Sequence, residues 1–261
     1  QWLGIEDDAE ANRWLLGPGL ITDLLDVCQA LDMKVHLGVP FHQGWWNRIG
    51  GSDPQALALF LRRIADGAQR FMQQARWPRH AAFQGWYLPY ELEQYHWASP
   101  ERAALLTQAL LPMARAAAET SGRPPTISTY FSHLHGPGSL EGLWRLLLDR
   151  LELRPMIQDG VGVSGLSNLA ALAPLRRMLL KRRQPFDLIV ELFEQQVPLP
   201  SEGAQFQAVS ANFRRVQRQW DLARGYGAQR IVTFALDPWV LGDSPQARAL
   251  KRRWQSAIRA Q

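Results

Sequence analysis

Short runs with a two-residue period take turns along this chain with longer runs whose apolar residues recur every three to four. The strand-type runs cover residues 2–6, 34–40, 82–89, 126–131, 155–161, 187–193 and 230–236. The helix-type runs between them cover 17–31, 53–76, 99–120, 138–151, 167–183, 204–225 and 244–259. A strict β-then-α order, with one helix per crossover, argues a parallel sheet with helices packed outside it. Two helix starts carry their own chemistry. Ser99-Pro100-Glu101 places a capping hydroxyl before a proline in the first turn, and Ser52-Asp53-Pro54 does the same. No Pro/Gly/Ser-rich linker divides the chain and no fixed-period repeat appears, so the expectation is a single domain over 1–261.

An open doubly wound sheet and a closed barrel both satisfy this alternation, and the pattern inside each strand separates them. Val35, Leu37 and Val39 alternate with His36, Gly38 and Pro40; Trp86 and Leu88 alternate with Gly85, Tyr87 and, past Pro89, Glu91. Ile127 alternates with Thr126 and Ser128; Leu188, Val190 and Leu192 with Ile189 and Glu191; Val232, Phe234 and Leu236 with Thr233, Ala235 and Asp237. A sheet covered on both faces would read as near-continuous apolar strands. One apolar face and one small or polar face, with polar side chains gathered at strand C-terminal ends, fits a (β/α)8 TIM barrel. Seven strands are found where the barrel needs eight, and the chain opens inside a strand. The expectation is therefore an N-terminally truncated barrel lacking its first β/α unit.

Composition narrows the function. No apolar run approaches the roughly 18 residues that would span a bilayer. Cys28 is the only cysteine, so no disulfide framework is expected within the chain. The 29 Lys and Arg exceed the 24 Asp and Glu, but the basic clusters fall inside helix-type runs and read as solvated faces, so no nucleic-acid partner is expected. The chain begins with Gln, as a processed secreted protein or an excised piece would. Eleven tryptophans are many for 261 residues, and indole faces serve as stacking platforms in sugar-binding clefts.

The strand ends present Glu6, Asp7 and Asp8; His36, with His42, Trp45 and Trp46; Tyr87, Tyr90, Glu91 and Glu93; Ser128, Tyr130, His133 and His135; Gln158 and Asp159; Glu191 and Glu194; and Asp237 with Trp239. Converging carboxylates, aromatics, hydroxyls and amides suit glycosidic-bond cleavage, which needs two carboxyl groups flanking an acetal. Strand parity selects Glu91 and Glu191. They end the third and sixth observed strands, or the fourth and seventh if one precedes, and those lie across a barrel mouth from each other. Glu93, Glu194, Asp7 and Asp8 read as rim or capping groups. His133 and His135 lack a third ligand at recognisable spacing, so neither a metal nor any other cofactor is expected.

The segment Gly85-Trp86-Tyr87-Leu88-Pro89-Tyr90-Glu91, followed by Gln94-Tyr95-His96-Trp97, resembles the signature of a family of bacterial barrel proteins known as a domain of unknown function and related to the glycoside hydrolases. Ile127–Phe131, Gln158–Val163, Val190–Glu194, the opening Gln1-Trp2-Leu3-Gly4, Leu37–Pro40 and Gly44-Trp45-Trp46 resemble the same family, in order along nearly the whole chain. The resemblance implies a barrel that acts on, or binds, polysaccharide, often in the cell envelope. Placement of the two glutamates resembles the retaining barrel glycosidases, which hold the acid/base after strand four and the nucleophile at the end of strand seven.

The leading expectation is thus an envelope or periplasmic retaining glycosidase, with Glu91 as general acid/base and Glu191 as nucleophile. Burial and the neighbouring charge should keep the first protonated and the second ionised. Trp45, Trp46, Trp97 and Trp239 are the expected sugar platforms, and Glu6, His36, Tyr87, Ser128, Tyr130, Gln158, Asp159, Glu194 and Asp237 the expected substrate-binding groups. Asp159 is also the reserve catalyst, because Gly160 and Gly162 after it allow either backbone approach to a ligand or merely a tight turn. Two alternatives remain at this level: a non-catalytic glycan-binding barrel serving polysaccharide biosynthesis or export, and a metal-dependent deacetylase or hydrolase built on the histidines with Asp159 or Asp237.

Overall fold

The computed structural model describes residues 4–5, 18–196 and 207–259. The chain is an α/β protein that divides into two compact units. Residues 1–128 and 132–155 form the first unit, and residues 129–131 and 156–261 form the second.

In chain order, the first unit begins with β1 (Gly4–Ile5), α1 (Pro18–Ala30), β2 (Val35–Gly38), β3 (Phe41–His42), α2 (Trp45–Ile49) and α3 (Pro54–Gln74). It continues with β4 (Phe83–Leu92), α4 (Gln94–Trp97), α5 (Pro100–Ser121), β5 (Thr126–Thr129) and α6 (Leu140–Leu148). β2 pairs in parallel with β4, setting His36 opposite Gly85 and Gly38 opposite Tyr87, and β5 lies on the far side of β4. β1 pairs in parallel with β3.

The expected helix starts are present. Asp53 accepts hydrogen bonds from the backbone N–H of Gln55 and Ala56, and Ser99 from that of Arg102, each before a proline. The two-residue period of β4 is physical. Trp86, Leu88, Tyr90 and Leu92 are buried, and Trp86 lies under α3 and α5, against Phe71 at 5.6 Å and with its indole N–H on Thr120 at 2.8 Å. Tyr87 and Glu91, on the opposite side of the pleat, are half-buried. The strand runs through Pro89 to Leu92, three residues beyond the expected end, so Glu91 belongs to the strand itself.

The second unit contains β6 (Arg154–Gln158, whose first two residues belong to the first unit), α7 (Val161–Ser164), α8 (Asn168–Ala171), α9 (Ala173–Lys181), β7 (Asp187–Glu191), β8 (Phe193–Gln195), β9 (Ala208–Ser210), α10 (Phe213–Arg224), β10 (Arg230–Phe234), α11 (Leu236–Trp239) and α12 (Pro245–Arg259). β7 runs between β6 and β10, parallel to both. Its register with β10 pairs Asp187 with Arg230, whose guanidinium grips the fully buried carboxylate through two bonds of 3.1 and 2.7 Å.

Three expectations are corrected here. The run 167–183 is two helices, because Pro174 in the first turn of α9 has no N–H to continue the hydrogen-bond ladder of α8. The run 204–225 is helical only from Phe213 among its described residues. Ala208–Ser210 instead pairs antiparallel with β8, and the Asn212 side chain caps α10 through Arg215 N at 2.9 Å. The run 187–193 divides at Leu192, whose N–H still bonds Phe234 O of β10 at 2.8 Å while its C=O accepts from Ala211 N at 2.8 Å, where the chain passes to antiparallel pairing with β9.

Candidate active site

In the first unit, β4 carries Tyr87 and Glu91 on one face, four residues apart. The Tyr87 phenol lies 2.6 Å from the hydroxyl of Ser128, which is buried on β5. Burial above all, and then the charge of Glu91, push the phenol's pKa above its ordinary value, against the hydrogen bond to Ser128. Tyr87 is therefore a neutral hydrogen-bonding group beside a carboxylate. His36 is half-buried on β2 beside Gly85, where a Cβ would stand in ordinary van der Waals contact with its ring at 3.4 Å.

The tryptophans divide. Trp45 and Trp97 are at 1% and 0% exposure and stack on one another at 5.6 Å, with Tyr90 at 4.8 Å from Trp45. An indole so enclosed presents no face to solvent. Trp46 does, at 43%. Tyr90 donates to Pro40 O at 2.9 Å, and Glu93 caps α4 by accepting from Tyr95 N, His96 N and His96 Nδ1. His133 and His135 are exposed on the loop after β5. Gln94, to which no role was given from sequence, bonds Ser132 at both its N–H and its carbonyl and so holds that loop.

In the second unit, Glu191 closes β7 and is 4% exposed. Its Oε2 accepts the backbone N–H of Gly162 at 2.8 Å. Asp159, just past β6, is wired into the same group. Its Oδ1 accepts from Val161 N at 3.1 Å and Glu191 N at 3.3 Å, and its Oδ2 accepts from Gln219 Nε2 at 2.7 Å. Desolvation raises the Asp159 pKa to about 6, and the three hydrogen bonds, with the charge of Arg215, oppose the rise.

Both glycines after Asp159 are required by geometry. Gly160 has φ +64°, and a Cβ there would stand 2.1 Å from Nδ2 of Asn168, which bonds Asp159 O. A Cβ on Gly162 would stand 2.7 Å from Phe193 O and 2.9 Å from Glu191 Oε2.

From α10, Arg215 and Gln219 reach the backbone of the same strand: Glu191 O accepts from both, at 3.3 and 3.2 Å, and Phe193 O accepts a second bond from Arg215. Burial lowers the Arg215 pKa, while the charges of Asp159, Glu194 and Glu191 hold it up. Neither residue was singled out from sequence. The available signal was two polar residues four apart on the same helix face as Val216 and Ala223.

The remaining candidates are placed separately. Gln158 is half-buried at the end of β6, Tyr130 half-buried after β5, and Glu194 and Asp237 exposed. Trp239 is half-buried against Phe193 at 5.7 Å. Glu6, with Asp7 and Asp8, lies outside the described residues. Among the described residues no three His, Cys, Asp or Glu side chains stand together as a metal-holding group.

A family described as a domain of unknown function, DUF4434, matches over residues 1–249. The chain belongs to the DUF4434 family. No curated protein matches it. The crystal structure of a putative alpha-L-fucosidase from Bacteroides thetaiotaomicron VPI-5482 is similar, with a TM-score of 0.64 and 16% identity over 93% of this chain and 74% of that one. At that identity the likeness is one of fold. This DUF4434 chain thus shares an α/β fold with a glycosidase-like protein.

Proposed function

We propose that this DUF4434 chain is a glycoside hydrolase of the (β/α)8 barrel class working by a two-carboxylate retaining mechanism, with Glu191 as nucleophile and Glu91 as general acid/base. The observation that carries the reading is the handling of Glu191. A carboxylate is buried at the C-terminal end of a parallel strand with one oxygen pinned by a backbone N–H, the Gly162–Glu191 bond of 2.8 Å. A nucleophile must be held at one angle while its other oxygen attacks, and a fixed backbone donor does that without supplying a proton.

Glu91 supports its role through parity, since it stands on the face of β4 opposite the buried tryptophan and beside the neutral Tyr87. Protonating the leaving oxygen and later accepting a proton from water is the work of such a half-buried strand-end carboxyl. Trp46 and Trp239 retain exposure suited to sugar stacking. A bacterial envelope or exopolysaccharide glycan is the proposed substrate, and the periplasm or envelope the proposed location.

The test is hydrolysis of a panel of bacterial polysaccharides by the wild-type chain and by Glu191→Gln and Glu91→Gln. Each variant is expected to lose about 10²- to 10⁴-fold in kcat while still binding the glycan. Full activity in either variant overturns the assignment. The product anomer, read by NMR, checks retention.

A further inference from the structure

The outer helices of the second unit carry a charge pattern that the glycosidase reading does not use. Exposed Lys and Arg on α9, α10 and α12 number ten: Arg177 and Lys181 on α9, three arginines on α10 including Arg214 and Arg218, and five basic residues on α12 including Lys251 and Arg252. Asp221 is the one exposed acidic residue on these three helices. They are also neighbours. The Arg176 guanidinium of α9 lies 4.8 Å over the Tyr226 ring just after α10 and bonds Tyr226 O at 2.7 Å, while Trp220 of α10 meets Trp254 of α12 at 6.3 Å. The three helices are therefore packed neighbours, and each carries exposed basic residues.

We infer that these basic helix faces dock the protein on a membrane surface of anionic phospholipid. Charge complementarity fixes the sign of the partner, and guanidinium groups match phosphate oxygens two at a time. Apolar side chains distinguish a bilayer from a soluble polyanion. Leu180, Leu222 and Ile258 are 42%, 48% and 62% exposed on the same three helices, where they would enter the headgroup boundary between the arginines. No helix among the described residues is long and apolar enough to cross a membrane, and the proposed contact is one of exposed helix faces with the lipid surface. The inference stands apart from the proposed hydrolysis and does not depend on it.

The experiment is co-sedimentation of the whole chain with phosphatidylcholine vesicles and with vesicles containing phosphatidylglycerol, at low and physiological salt. Binding to the anionic vesicles alone, weakened by salt, is expected. The combined variant Arg214→Glu/Arg218→Glu/Lys251→Glu/Arg252→Glu is expected to bind at least about tenfold more weakly. A second variant with Gln at these four positions is expected to fall between it and wild type. Equal thermal midpoints for the three proteins establish that the fold is intact. Should the Glu variant unfold, the Gln variant alone decides. Equal binding to both vesicle types, absence of binding at low salt, or a folded charge variant that binds as wild type overturns the proposal. Binding to heparin without binding to anionic vesicles overturns the lipid assignment.

Discussion

Gly162 presents its backbone N–H to Oε2 of Glu191 at 2.8 Å, and no other residue type fits where it does so. A methyl at Gly162 would be forced against the Phe193 carbonyl and the glutamate oxygen at once, and the carbonyl belongs to strand backbone that moves little. Gly162→Ala should therefore push α7 away from β7 and release the carboxylate. A hydrogen bond to a charged group contributes about 1.5–3 kcal/mol, so kcat on a glycan substrate should fall about 10- to 100-fold with a smaller change in KM. Steady-state kinetics check this, and a variant with unchanged kcat removes the bond from the mechanism.

Asp159 makes the stability of the chain depend on pH in a direction opposite to that of an ordinary paired carboxylate. Its folded pKa is raised to about 6, above the value of about 3.9 in an unfolded chain. Below the unfolded value both states are protonated and its contribution is complete. As pH rises toward 6 the unfolded state releases its proton first, and stability is lost. Denaturant unfolding at pH 4, 5, 6 and 7 should show the decline, and Asp159→Asn should flatten it. The slope is the readout rather than the level, because an amide at 159 cannot satisfy the Val161, Glu191 and Gln219 donors together.

The parts legible in the sequence were those governed by local periodicity and local capping. The alternation along 82–92 put Trp86 under the helices and Tyr87 with Glu91 on the other face, and Asp53 and Ser99 marked their helix starts through hydrogen bonds spanning two or three residues. What was not legible depended on partners distant in the chain. Trp45 and Trp46 are adjacent, yet one is enclosed by Trp97 and Tyr90 and the other exposed, a difference set by residues about fifty positions away. Gln219 reaches an aspartate sixty residues earlier. From sequence alone Gly160 and Gly162 fit either backbone approach to a ligand or a tight turn; Gly160 takes the positive-φ turn, and what comes close to Gly162 is Glu191 and Phe193, about thirty residues on.

Tyr87 and Ser128 form a hydrogen-bonded pair, and its pH dependence lies at the alkaline end. Burial and the Glu91 charge hold the Tyr87 pKa above the ordinary phenol value, and burial pushes Tyr226 up to about 12. A raised folded pKa gives stability that is complete below pH 10 and is lost as pH climbs beyond it. Absorbance titration should therefore show Tyr87 and Tyr226 ionising above the ordinary phenol range or only as the chain unfolds. Tyr87→Phe should remove one of the two and strand the buried Ser128 hydroxyl, at a cost of about 1–3 kcal/mol near neutral pH.

Glu93 separates a structural carboxylate from the proposed acid/base, Glu91. It is 1% exposed, two residues beyond Glu91, and its oxygens are taken by Tyr95 N, His96 N and the His96 ring. Those bonds begin α4, the helix that carries Gln94 to Ser132 and Trp97 to Trp45. Replacing a capping carboxylate with alanine costs about 1–2 kcal/mol, here with buried donors left unmatched as well. Glu93→Ala should lower the thermal midpoint by about 2–8 °C for a chain of this size. Glu93→Gln, which keeps one acceptor oxygen, should lose less. Below the midpoint both variants should retain kcat within about threefold of wild type, against the 10²-fold or greater loss expected of Glu91→Gln. Assays run ten degrees below each midpoint make the comparison fair, and a Glu93 variant as inactive as Glu91→Gln would move the acid/base assignment two residues along the chain.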